Sequence, residues 1–189
     1  TSARHDEFHA SGVPVGVPAE KNLVMKALNE LRKYYPIPGL NVGLLKTIPF
    51  GAGLGGGSAD AAFMLQLVNE FCQLHVPSSR LEEIAASIGA DCPFFIRNTP
   101  VFASGIGNVF EPASVDLHGW HLCLVKPDVF VSTAAAYSKV IPAKPSRSLK
   151  EIMSMPVERW KEMLINDFER SVFSEFPAIR AIKDKLYAS

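Results

Sequence analysis

Leu23, Val24, Ala27, Leu28 and Leu31 recur three and four residues apart, with Lys26, Asn29, Arg32 and Lys33 on the other side. That period predicts an amphipathic helix starting after Pro18, and Pro36 and Pro38 stop it. Leu40, Val42 and Leu44 alternate with smaller or polar neighbours, which predicts a strand ending near Ile48. A second helix is expected from about Ser58 to Leu74, on Ala61, Ala62, Leu65, Val68 and Cys72. Pro77 and Ser78 break it. Ser79, with Glu82 three residues on, predicts a capping box for a third helix running to Ser87, and Gly89 reads as its left-handed C-cap. Phe94 to Ile96 reads as the start of a strand, 101–103 and 108–110 as a hairpin, and HLCLVK (121–126) as another strand. Ser132 or Thr133 caps a short alanine-rich helix. A Pro-rich linker, 141–146, then leads into helices broken at Pro156 and Pro177. The first ten residues carry no clear period, and 13–17 reads as a short strand or an extended loop.

Composition narrows the class. The chain has 189 residues, 48% hydrophobic and 20% charged, which is enough for a packed core in one large or two small domains. Lys+Arg and Asp+Glu each number 19, so net charge favours neither nucleic acid nor an anionic membrane as partner. The three cysteines, Cys72, Cys92 and Cys123, are odd in number and widely spaced. They fit a reducing, cytoplasmic setting rather than a disulfide framework, and have no zinc-ligand spacing to one another or to the histidines. No apolar run reaches the roughly 18 residues a membrane helix needs, and TSARHDEFHA is too polar for a signal peptide.

The chemistry concentrates in PFGAGLGGGSADAA, Pro49 to Ala62, with five glycines in the seven residues from Gly51. A glycine inside a regular element costs roughly 0.5–1 kcal/mol against alanine. Strand, glycine-rich turn and helix together form a ready anion site, because backbone N–H groups approach a phosphate and the helix N-terminus adds partial positive charge. Ser58 offers a hydroxyl to a phosphate or its Mg²⁺. A Walker loop is excluded, since no lysine lies between Lys46 and Lys126. Gly51, Gly53 and Gly56 fit the bare dinucleotide pattern, but no acidic residue follows at the right distance on a second strand. The plain alternative is a tight packing turn, for which one or two glycines would suffice.

This motif resembles the phosphate-binding loop of the GHMP kinases, a superfamily of small-molecule kinases. IGADCPFFIRNTPVFASGIG, EKNLVMKA, KPDVFVSTAAAY and NDFE are similar to segments of the branch that phosphorylates 4-diphosphocytidyl-2-C-methyl-D-erythritol. The resemblance covers nearly the whole chain. It implies an α+β GHMP kinase fold of two domains, each with a mixed or antiparallel sheet packed against helices: a nucleotide-binding domain over 1–117 and the start of a ferredoxin-like domain over 118–189. It implies ATP and Mg²⁺, a small-molecule substrate, and a place in non-mevalonate isoprenoid synthesis. Homoserine- or mevalonate-type kinases, and a non-catalytic nucleotide-binding module, stay open as alternatives.

Residue by residue, the resemblance makes Asp91 the catalytic base toward the substrate hydroxyl; read alone it is a turn aspartate binding local N–H groups. It puts Asn22 and Lys46 in the adenine pocket, where each also reads as an ordinary helix or strand-end residue. Phe50 and Leu54 would wall the adenine, and Pro49, Gly51, Ala52, Gly53, Gly55, Gly56, Gly57, Ser58 and Ala59 would line the nucleotide, with Ser58 toward the metal. Tyr137 would stack on the cytosine, or else covers the core. Asn166 and Glu169 read as a helix cap and its partner. Two departures are evident. TSARHDEFHA lacks the lysine, asparagine and Tyr-His pair of the family's opening segment, and KDKLYAS stops before its second glycine-rich segment. Both ends are therefore expected to be cut, with impaired activity and an exposed sheet edge that favours self-association into a homo-oligomer.

Overall fold

The computed structural model describes residues 1–49 and 53–188. The chain divides into two compact units, Thr1–Pro112 and Ala113–Ser189, whereas the sequence places the boundary at Leu117.

The first unit is built on a three-stranded mixed sheet, β1 (Ser2–Ala3), β2 (Glu7–Gly12) and β3 (Gly39–Lys46), with β3 in the middle. β2 runs parallel to β3 from Glu7↔Asn41 to Gly12↔Lys46, and β1 pairs antiparallel at Ser2↔Leu40. Residues 1–12, without a readable period, thus supply two strands; β2 is almost wholly exposed, so no buried face imposes alternation on it. Residues 13–17 form no strand.

Helices α1 (Leu23–Arg32) and α2 (Gly56–Phe71) pack on one another, and their buried side chains share one core with those of β3. Leu28, Leu31, Leu65 and Val68 are the large, fully buried aliphatic side chains of this core, and Leu40 and Val42 contribute the sheet's inner face. Burying such a side chain stabilises by about 1.5–3 kcal/mol. α2 begins two residues before Ser58, because Gly55 in the left-handed region supplies its N-cap.

Helix α3 (Ser78–Ile88) corrects two expectations. Pro77 is its N-cap, Ser79 lies inside it, and no side chain caps it; Glu82 instead bonds Arg97 at 2.7 Å. Gly89 has φ −176°, extended backbone rather than a left-handed cap. A third correction follows: Cys92–Arg97 is a helix, α4, not a strand. Pro93 sits in its first turn, where a missing N–H costs nothing, and Cys92, Pro93 and Ile96 turn inward. The expected hairpin is present as β4 (Val101–Ser104) and β5 (Val109–Pro112).

The second unit, among its described residues, is helical: α5 (Thr133–Ser138), α6 (Leu149–Met153), α7 (Val157–Met163), α8 (Glu169–Glu175) and α9 (Pro177–Ala188). Ser132 caps α5 by accepting from Ala135 N–H, and Ser148 with Glu151 forms a capping box on α6. Residues 121–126 join no strand, and Leu122 is 83% exposed. Alternating apolar residues give a strand only when a neighbouring strand takes up their N–H and C=O groups. None of the described residues of this unit does so.

Candidate functional site

The site grows from the end of β3. The Lys46 carbonyl accepts from Val13 N–H at 2.9 Å, and a Cβ on Gly12 (φ +86°) would lie 2.2 Å from that carbonyl oxygen. Only glycine fits there, in a left-handed conformation and against backbone. With its backbone fixed, the Lys46 side chain runs inward and is 4% exposed; its ammonium pairs with Asp60 on α2. Asn22 is also buried, as the N-cap of α1, accepting from Val24 N–H at 2.9 Å. Asn22 is therefore not the exposed helix residue of the plain reading, whereas Lys46 does end β3, as that reading has it, but is buried.

Gly53 and Gly55 have φ of +70° and +64°, which accounts for glycine at both. Pro49, Gly53 and Leu54 are exposed. Phe50, Gly51 and Ala52 lie outside the described residues. A Cβ on Gly55 would fall 2.8 Å from Phe95 Cζ, and one on Gly56 2.9 Å from Ile48 Cγ2 and 3.2 Å from Lys46 Nζ. A side chain at either position would require Phe95 or Ile48 to shift. Gly57 differs: among the described residues outside its own helix backbone, its Cβ would meet only Leu23 Cδ1, at 3.5 Å, an ordinary contact. Gly53 meets none of the described residues within 4 Å. Among the described residues packing gives no reason for glycine at 57, whereas close approach of a ligand does.

Ser58 and Ala59 occupy the first turn of α2, half-buried. Ser58 in the first turn of α2 acts on the Cys92 thiol at the start of α4, next in sequence to Asp91. Burial pushes the Cys92 thiol up; the Ser58 hydrogen bond opposes that, and the Asp91 charge adds to it. Cys92 is fully buried, its Sγ 3.3 Å from where a Cβ on Gly89 would be. Asp91 is the N-cap residue of α4 but its side chain makes no capping bond, and it is exposed. The turn-aspartate alternative expects such a bond.

The structure thus gathers Asn22, Lys46, Gly53 to Ala59 and Asp91 in one unit, around the N-terminus of α2. Its free N–H groups and the Lys46 ammonium suit an anion, the Ser58 hydroxyl a hard cation, and the Asp91 carboxylate an incoming proton. Among the described residues, no group of three or more His, Cys, Asp or Glu gathers to hold a metal. Sequence reasoning missed Asp60, Gly12, Cys92 and Phe95 as parts of this arrangement. Asp60 alone had a local signal, as the one carboxylate in an alanine run.

Tyr137 belongs to the second unit, on α5, 64% exposed and edge-on to Phe168 at 4.9 Å. Asn166 accepts from Phe168 N–H at 3.0 Å, while Glu169 pairs with Lys183 at 2.5 Å. Asn166 and Glu169 therefore do not form the reciprocal cap read from NDFE; Phe168 is the N-cap of α8.

Comparison with known proteins agrees with this architecture. Residues 22–99 match the family described as GHMP kinases N terminal domain. A 4-diphosphocytidyl-2-C-methyl-D-erythritol kinase of Parabacteroides distasonis is 64% identical over 95% of the chain and 66% of its own length. The protein of that name from Azobacteroides pseudotrichonymphae is 46% identical over 98% of the chain and 70% of its own. A crystal structure of 4-(cytidine 5'-diphospho)-2C-methyl-D-erythritol kinase superposes with a TM-score of 0.72 at 27% identity, covering 97% of this chain and 66% of that one. The chain belongs to the GHMP kinases, in the branch formed by these 4-diphosphocytidyl-2-C-methyl-D-erythritol kinases. It spans just under two thirds of the length of the Parabacteroides relative.

Proposed function

We propose that the chain is the nucleotide-binding domain (1–117) and the beginning of the C-terminal domain (118–189) of an ATP-dependent kinase for the 2-hydroxyl of 4-diphosphocytidyl-2-C-methyl-D-erythritol. The observation that carries the reading is the glycine cluster: among the described residues nothing packed against Gly57 requires glycine, and it stands in the first turn of α2 between Gly56, whose Cβ would lie 3.2 Å from the Lys46 ammonium, and Ser58. The α2 N–H groups would hold the phosphates, with Lys46, Asn22 and Leu54 toward the base. Ser58 would hold Mg²⁺ together with phosphate oxygens and water, since this ion takes few protein ligands; it supplies neutralisation of phosphate charge. The substrate oxygen attacks the γ-phosphorus, the bond to the β-phosphate oxygen breaks, and ADP leaves. Asp91 accepts the hydroxyl proton. Tyr137 would offer its exposed ring to the cytosine. The setting proposed is cytoplasmic; no described helix is long and apolar enough to cross a membrane.

The test is ADP release with Mg-ATP and this substrate, for the chain and for a chimera carrying the flanking segments of the Parabacteroides relative. The chimera is expected to turn over, and Asp91→Asn in it to lose kcat by at least about a hundredfold with nucleotide affinity and Tm unchanged. ATP binding without turnover by the chimera on this substrate refutes the assignment. Turnover on homoserine or mevalonate instead moves it elsewhere in the superfamily.

A further inference from the structure

Lys46 and Asp60 stand at the two ends of the glycine loop, one closing β3 and the other in α2. The location of the Lys46 ammonium is unfavourable in two respects. It is withdrawn from water, 4% exposed, and it lies beside Gly56 at the positive end of α2. A buried ion pair is weak grounds for stability, because two packed apolar side chains of similar size generally hold a fold as well. The pair therefore needs a reason other than stability, and its place at the proposed nucleotide site supplies one.

We infer that Asp60 is a positioning residue: its carboxylate holds the Lys46 ammonium at the N-terminus of α2 in the orientation from which it binds nucleotide. The inference rests on the ATP-site reading above and adds a residue to it. The Lys46 backbone is already fixed by Val13 and Gly12, so the freedom that remains is that of the four-carbon side chain. Asp60, one turn into a helix whose start is locked against Ile48 and Phe95, is a rigid post for it. Without the carboxylate, the ammonium would swing toward solvent and the donor would have to be reordered by each nucleotide that binds.

The experiment titrates the 189-residue chain with a fluorescent ATP analogue, with thermal unfolding measured in parallel, for wild type, Asp60→Asn, Asp60→Glu, Lys46→Met and the Lys46→Met/Asp60→Asn double variant. Affinity is expected to fall about tenfold in Asp60→Asn, to recover in part in Asp60→Glu, and to fall no further in the double variant than in Lys46→Met, the non-additivity of residues acting as one. If Asp60→Asn does not fold, Asp60→Glu carries the test. It keeps the charge but displaces the carboxylate by one methylene, and should bind about threefold more weakly at a Tm near wild type. A purely structural clasp predicts lower Tm with unchanged affinity, and that result overturns the inference while leaving the nucleotide site intact. If the wild-type chain binds no analogue, both this inference and the ATP-site reading fail.

Discussion

Gly57→Ala separates what the fold requires from what a ligand requires. The new Cβ would stand 3.5 Å from Leu23 Cδ1, with no other neighbour within 4 Å among the described residues outside its own helix backbone. Gly57 is not among the residues with positive φ, so alanine fits without strain. Replacing a helical glycine by alanine stabilises by up to about 1 kcal/mol, less in a first turn than in the interior. For a unit of this size that raises Tm by about 2–5 °C. The neighbouring substitutions behave oppositely. Gly55→Ala adds a Cβ at φ +64° and 2.8 Å from Phe95 Cζ, and Gly56→Ala one at 2.9 Å from Ile48 Cγ2, so both should lower Tm. If Gly57 is kept for phosphate approach, its alanine variant should bind a fluorescent ATP analogue at least about tenfold more weakly, roughly 1.4 kcal/mol, while unfolding at higher temperature. Circular dichroism melts and fluorescence titration on the same preparations read both effects. Unchanged affinity would refute the ligand argument. A lowered Tm would refute the packing argument.

Other expectations concern stability and reactivity. Asp6 accepts from Arg32 Nη2 at 2.7 Å and from Leu40 N–H at 3.0 Å, and chiefly the Arg32 hydrogen bond holds its carboxyl below the usual range. The folded value being the lower one, this stabilisation is present above the unfolded pKa of about 4 and is lost as pH falls through the folded value. Asp6→Asn should therefore lower Tm at pH 7 and match wild type in strong acid, as melts across pH would show. Cys92, raised by burial, should resist iodoacetamide at pH 8 while exposed Cys123 reacts; peptide mass spectrometry that found Cys92 alkylated in the folded chain would contradict its placement. Because an unfolded Cys92 ionises first, its contribution to stability should decline above about pH 8.5. Leu65→Ala, at a fully buried position, should cost about 2–5 kcal/mol in denaturant unfolding.

The glycine motif, the two amphipathic helices around it and the central strand were legible in the sequence because each rests on a short-range pattern. Apolar residues at helical or alternate spacing specify α1, α2 and β3, and proline positions end them. The family resemblance brought Asp91, Asn22 and Lys46 to notice, which their local sequence would not have done. Short-range pattern failed where a choice depended on partners distant in the chain. Phe94 to Ile96 has strand-like composition, yet Cys92 and Ile96 are one helical turn apart and both face the core, so α4 forms. Residues 121–126 alternate well but meet no strand. Glu82 stands at the right offset for a cap and bonds Arg97 instead.

By itself, then, the sequence determined the main elements of the first unit and the place of a candidate anion-binding turn, since those follow from periodicity and from the backbone freedom of glycine, while the α+β class came with the family resemblance. Tertiary structure decided which glycines the described residues crowd and which they leave open, and that Lys46 is buried against Asp60. These are distances between residues on different elements, Lys46 and Asp60 for example standing 14 positions apart in the chain, and no local pattern encodes them.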